Sequence, residues 1–109
     1  MANSFKNAGM TLTTTNRTTL YTCPAGKETV IHALYLSNTD GVSPVSVDIE
    51  ITVDGGTTYQ YVGKTLLVPE DSTLIPDKPI NLEAGDILAI TASASNKLDA
   101  VCAILEITP

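Results

Sequence analysis

The chain has no tryptophan, one phenylalanine, one histidine and two cysteines among its 109 residues. Each shortage removes a class of function. A metal centre needs clustered His, Cys or carboxylate ligands. His32 stands alone in the run Glu28 to Asn38, and Cys23 and Cys102 form no C-x-x-C pair. With a single imidazole, a Ser or Cys nucleophile has little choice of base, and no G-x-S-x-G elbow is present. Bases are also few: 6 against 12 acids, a formal charge of −6, which disfavours nucleic acid and anionic membrane as partners. No apolar run approaches the ~20 residues of a membrane span, and Met1 to Asn7 is too polar for a signal peptide. The expected compartment is a cytoplasm, where both cysteines are free thiols. No catalytic residue, metal ligand or cofactor site is expected.

What is abundant is alternation. From Val45 onward, Val45, Val47, Ile49, Ile51 and Val53 interleave with Ser46, Asp48, Glu50, Thr52 and Asp54. Successive strand side chains point to opposite faces, so this segment has an oily face and a wet, acidic one. A helix would need its apolar residues every three or four positions. Asp48 and Glu50 share the wet face, where solvation accounts for them better than a paired-carboxylate site would.

Turn signals divide the rest into about eight short strands, the mark of an antiparallel β-sandwich, jelly-roll or Ig-like, with no significant helix. Met1 to Ala8 reads as an N-terminal arm, and 9–109 as one sandwich domain. Strands follow at Gly9 to Thr14, Thr18 to Cys23 and Glu28 to Asn38. The last is nearly continuous in apolar residues, as a strand covered on both faces would be. Asp54-Gly55-Gly56 is the strongest hairpin signal. Gly63 reads as a bulge between Thr57 to Val62 and Lys64 to Val68. Further strands are Thr73 to Ile75, Ile80 to Leu82, Asp86 to Ala94 and Asp99 to Ile107.

Four residues have partner potential. Phe5 and Lys6 lie in the polar arm, and an aromatic ring gains by docking, on its own domain or on a neighbouring subunit. Tyr59 and Tyr61 share a strand face. A two-residue Gly55-Gly56 loop would turn them outward with Glu50, whereas a three-residue Asp54-Gly55-Gly56 loop would turn them into the core. The left-handed position that a three-residue hairpin gives to Gly56 favours the core. Outward, they would form an aromatic patch of the kind found at interfaces or on carbohydrate-binding modules. A calcium site would have to be assembled from several loops, because each acidic turn offers one carboxylate.

Three stretches carry a resemblance: S-F-K-N-A-G-M-T-L-T-T-T from Ser4, T-T-L-Y-T-C-P-A-G-K-E-T-V-I-H-A-L-Y-L-S-N from Thr18, and L-E-A-G-D-I-L-A-I-T-A-S-A-S-N-K-L-D-A-V-C-A-I-L-E-I from Leu82. Over nearly the whole chain this resembles small virion structural proteins of tailed phages, common in phages of cyanobacteria and other marine bacteria. The Tyr21 to Gly26 turn and the Ala84-Gly85-Asp86 turn recur in other phage sandwich domains. The resemblance implies a non-enzymatic capsid decoration (cement) protein, or a small neck, tail or fibre component, located in the virion and assembled in the host cytoplasm. Its implied partners are the major capsid protein or other virion proteins and further copies of itself, a trimer being favoured. The family's Val or Ala at the positions of Cys23 and Cys102 implies buried thiols rather than a disulfide.

Overall fold

A computed structural model of the chain describes residues 2–109. Nine antiparallel strands form two sheets, with no helix among the described residues. They are β1 (Ala2–Leu12), β2 (Thr18–Thr22), β3 (Glu28–Asn38), β4 (Val45–Thr52), β5 (Gln60–Val68), β6 (Thr73–Leu74), β7 (Ile80–Leu82), β8 (Ile87–Ala92) and β9 (Leu98–Thr108). The larger sheet runs β1-β9-β3-β6, with β7 also on β3. The smaller sheet runs β2-β8-β4-β5. The expected β-sandwich is the observed architecture.

The core lies between the sheets and is almost wholly aliphatic. Leu12, Leu36, Val45, Val68, Leu88, Ile90, Leu98 and Ala100 are sealed from solvent, as are the thiols of Cys23 and Cys102. Branched and small side chains suit this gap because they pack on a pleated surface without polar atoms to satisfy. Burial holds the Cys102 thiol above the ordinary thiol range.

Several elements depart from the sequence reading. The segment expected as an arm pairs with β9 in unbroken register, Ala2 opposite Thr108 through Leu12 opposite Leu98. Residues 2–8 therefore belong to β1; Met1 lies outside the described residues. Pairing with a neighbour makes this strand, since its own alternation is weak. The apolar continuity of β3 does not come from cover on both faces. The register on β9 jumps between Ile31 and Ala33, with His32 in the bulge. Thr29 and Ile31 point inward before it, Leu34 and Leu36 after it. One extra residue shifts the phase of the alternation, so two half-patterns abut and read as one run.

The β4–β5 connection is neither a two- nor a three-residue hairpin. It spans residues 53–59, and Asp54 organises it. Its Oδ1 accepts from Thr58 N at 2.9 Å, Thr57 N at 3.1 Å and Thr52 Oγ1 at 2.8 Å. Those donors, the Thr58 amide foremost, hold the carboxyl below its ordinary pKa. Glu50 then pairs with Tyr61, which turns Tyr61 outward and corrects the core placement favoured by the short-loop geometry. Gly63 is at a bulge, as its position suggested: the β4–β5 register slips around Ile49. A Cβ at Gly63 would sit 2.5 Å from Leu66 Cδ1, so a larger residue fits the bend only if the Leu66 side chain moves aside. Thr65, next to the bend, adopts a left-handed φ of 53° while its N–H donates to Asp48 Oδ1 at 2.7 Å. Asp48 thus has a structural task besides solvation.

Candidate assembly surfaces

The register of the larger sheet sorts its residues into two faces. Facing the core across β1, β9 and β3 are rows such as Ala8–Cys102–Leu34 and Met10–Ala100–Leu36. The opposite face carries Phe5–Leu105–Val30, Asn7–Ala103–Ala33 and Gly9–Val101–Tyr35. These three rows contain no charged residue. Charge appears only in the rows that bound them, with Glu28 at one end and Asp99 at the other. No described element covers this face. Phe5 is 77% exposed, and Tyr35 and Val101 are also in solvent. Among the described aromatic rings, Phe5 meets His32, edge-on at 6.3 Å between centroids.

Lys6, next to Phe5, points to the other side of β1. Its Nζ lies 2.8 Å from Glu106 Oε1, an ion pair without directed hydrogen-bond geometry. Glu106 is 3% exposed at the core-facing end of β9. Its Oε2 accepts the Tyr21 hydroxyl at 2.6 Å, and Tyr21 Oη is 2.8 Å from Thr29 Oγ1. Lys6 first, then Tyr21, hold the Glu106 carboxyl below the usual range; burial and this carboxylate push the Tyr21 phenol well above its own.

Of the other two expected site residues, Tyr61 is on β5 of the smaller sheet and Tyr59 is the last residue of the loop that leads into it. A row across that sheet's outer face runs Thr19–Ala89–Glu50–Tyr61. Ile49 and Glu50 are 1% and 4% exposed, so both are buried, but on opposite faces. The alternation of β4 against β8 is intact from Val47 to Thr52. Glu50 is sealed from outside by Arg17, whose Nε and Nη2 donate to the two carboxylate oxygens at 3.1 and 2.9 Å. Arg17 in turn lies 3.8 Å over the Tyr59 ring. The expectation of a wet Glu50 fails because Arg17, from the β1–β2 turn, reaches across it. Tyr61 is 53% exposed, with Lys64 Nζ 5.3 Å from its ring centre.

The four expected residues therefore do not form one site. Phe5 belongs to an apolar sheet face, Lys6 to an ion pair whose acid is buried and whose ammonium side chain is half exposed, and Tyr59 and Tyr61 to a polar, cation-capped surface at the other sheet. Tyr59 offers no free ring platform because Arg17 occupies it. Sequence reasoning missed Tyr35 and Val101. The bulge at His32, which exposes Tyr35, has no local signal. Among the described residues, no three His, Cys, Asp or Glu gather as metal ligands, and no helix is long and apolar enough to cross a membrane. A cavity of about 230 Å³ opens at the flank of the sandwich between Ile31, Leu34 and Ile49 and the Pro76–Pro79 segment. It is apolar and carries no convergent set of polar groups.

No family model matches the chain, and no curated protein does. Solved structures do. A subunit described in "Bacillus endospore appendages form a novel family of disulfide-linked pili" superposes with a TM-score of 0.58 at 17% identity, over 98% of this chain and 87% of that one. A pentameric capsid protein from metagenomic phage sequences gives 0.51 at 22% identity, over 96% of this chain and 67% of that one. The acid-stable capsid of Helicobacter pylori bacteriophage KHP30 contributes a chain at 0.54 and 14% identity, over 97% of this chain and 87% of that one. At these identities the likeness is one of fold: the chain shares a β-sandwich with proteins that build capsids and appendages.

Proposed function

We propose that the chain is a non-enzymatic structural protein of a bacteriophage virion, a head decoration or cement protein that binds the outer capsid surface and stabilises it. The observation that carries this reading is the uncovered, uncharged face of the larger sheet, with Phe5, Tyr35 and Val101 in solvent. Water-exposed aromatic and aliphatic groups on a flat sheet, bounded by acids, have the anatomy of an interface core with a polar rim. Fold likeness to phage capsid proteins supports the setting, and likeness to a pentameric one supports self-association. Copies held on one shell bind with avidity, so a modest patch suffices. The resemblance to tailed-phage virion proteins implies a trimer at local symmetry axes, with the major capsid protein beneath it.

A second reading, a neck, tail or fibre component, is favoured by the fold likeness to an appendage subunit. Cryo-microscopy of purified virions separates the two. The first expects density for this chain over the capsid surface, with the apolar face turned toward it. Density only at the neck or tail would end the cement reading.

A further inference from the structure

Sheet edges invite pairing, and soluble proteins normally blunt them with short strands, bulges, lysines or prolines. Most edges of this sandwich are blunted. On the smaller sheet, β2 has five residues and a register break between Thr19 and Tyr21. Across that sheet β5 slips register around Ile49 and carries Lys64 and the left-handed Thr65. On the larger sheet, β6 and β7 have two and three residues, with Pro76 and Pro79 between them. β1 is different. It runs eleven residues without a bulge or proline. Its one blunting device is Lys6, an inward-pointing charge whose side chain stays 53% exposed while it pairs with Glu106. Its outer edge has no strand partner among the described residues.

We propose that β1 pairs with β1 of a second copy of this chain, antiparallel about a two-fold axis at Asn7. The strand is complementary to itself in that register. Full overlap of Ala2–Leu12 sets Asn7 against the second copy's Asn7, Phe5 against its Gly9, Lys6 against its Ala8, Ser4 against its Met10, and Asn3 against its Thr11. No like charges oppose each other, and each exposed ring faces a glycine. Gly9 leaves its backbone bare on the exposed face. A Cβ there would lie 3.2 Å from Val101 Cγ2, a tight contact that Val101 would have to relieve by a few tenths of an ångström. An aromatic residue opposite a strand glycine shields the bare backbone. Here it also extends the exposed Gly9–Val101–Tyr35 row, so the two apolar faces merge into one across the axis.

The inference rests on the self-association in the reading above and supplies the surface through which copies meet. Being two-fold, the contact joins subunits in pairs. It could tie one trimer to the next but cannot build the trimer itself. Two edge strands make a small interface, so the contact is weak for isolated copies and gains strength on a shell.

Single-cysteine variants test the register. Opposed Cα atoms in an antiparallel pair lie about 4.5–5.5 Å apart, within disulfide reach. Asn7→Cys is therefore expected to give covalent dimers on mild oxidation. Asn3→Cys alone is expected to stay monomeric, because its two copies would be roughly 27 Å apart at ~3.4 Å per residue. A mixture of Asn3→Cys and Thr11→Cys is expected to give the mixed dimer. The native thiols are buried, so the unmodified chain serves as the blank, and circular dichroism confirms that each variant is folded. An Asn7→Cys protein that stays monomeric, or an Asn3→Cys protein that dimerises as readily, overturns the pairing. Capsid association without the Asn7 cross-link would sink the pairing and leave the virion role standing; the cross-link without capsid association would do the reverse.

Discussion

Ile49 and Ile90 are register partners on β4 and β8, 1% and 0% exposed, and chemically identical. They differ in their surroundings: Ile49 borders the 230 Å³ flank cavity and Ile90 does not. Truncating either to alanine removes three carbons from the core, about 2.4 kcal/mol at ~0.8 kcal/mol per methylene. At Ile90 the space left is enclosed by the small sheet and the core, and each ~40 Å³ that fails to close adds about 1 kcal/mol. At Ile49 part of that space already existed and opens toward solvent, so less packing is lost. Ile90→Ala should therefore lower stability by about 4 kcal/mol and Ile49→Ala by about 2–3 kcal/mol. At roughly 4 °C per kcal/mol for a domain of this size, melting points should fall by about 16 °C and about 10 °C. Urea titration followed by circular dichroism, with the m-value unchanged, measures both. If Ile49→Ala costs as much as Ile90→Ala, the cavity is closed in solution. If both cost under ~1 kcal/mol, the sheets do not pack as described.

Two further predictions concern the buried carboxylates. Arg17→Ala strands Glu50 beneath the surface without its cation, so it should destabilise more than the double variant Arg17→Ala/Glu50→Gln; a double-mutant cycle by urea titration that shows simple additivity would remove the coupling. Glu106 has its pKa depressed in the folded chain, so its contribution is present above its unfolded pKa, about 4.3, and is lost as pH falls through the folded value. Melting points should hold near neutrality and drop on the acid side, and Glu106→Gln should be less stable at neutral pH with a flatter acid limb. An acid limb unchanged by that substitution would contradict the buried pairing.

What the sequence showed plainly was strand phase where one face is core. Val45, Val47 and Ile49 went inside as their alternation required, and the kind of strands followed from turn chemistry, with nine formed where about eight were expected. Three things stayed hidden, each because its cause lies far away in the chain. The phase shift at His32 is defined only against β9, some seventy residues later. The burial of Glu50 depends on Arg17, which reaches it from the β1–β2 turn, 33 residues earlier in the chain. The strand character of residues 2–8 comes from pairing with Cys102 through Thr108. Phe5 was conspicuous as a lone aromatic in a polar stretch; that it stands on a whole apolar face needed the register of three strands.

The placement of Glu50 and Glu106, two of the three buried acids (Asp86 is the third), bears on how such a protein could serve a shell. Both cations that neutralise them, Lys6 and Arg17, come from the N-terminal segment, one from β1 and one from the turn after it. A buried ion pair is a poor source of net stability, since desolvation offsets most of the attraction, but breaking it is costly because a bare charge remains. The pairs therefore act on geometry more than on stability: β1 can slip along β9 only by pulling Lys6 away from Glu106, and the turn can lift only by uncovering Glu50. A one-residue slip would also turn Phe5, Asn7 and Gly9 to the core side and bring Lys6 to the apolar face. Fixing that register holds the exposed face and the open edge in one arrangement in every copy, which repeated attachment to a symmetric surface demands.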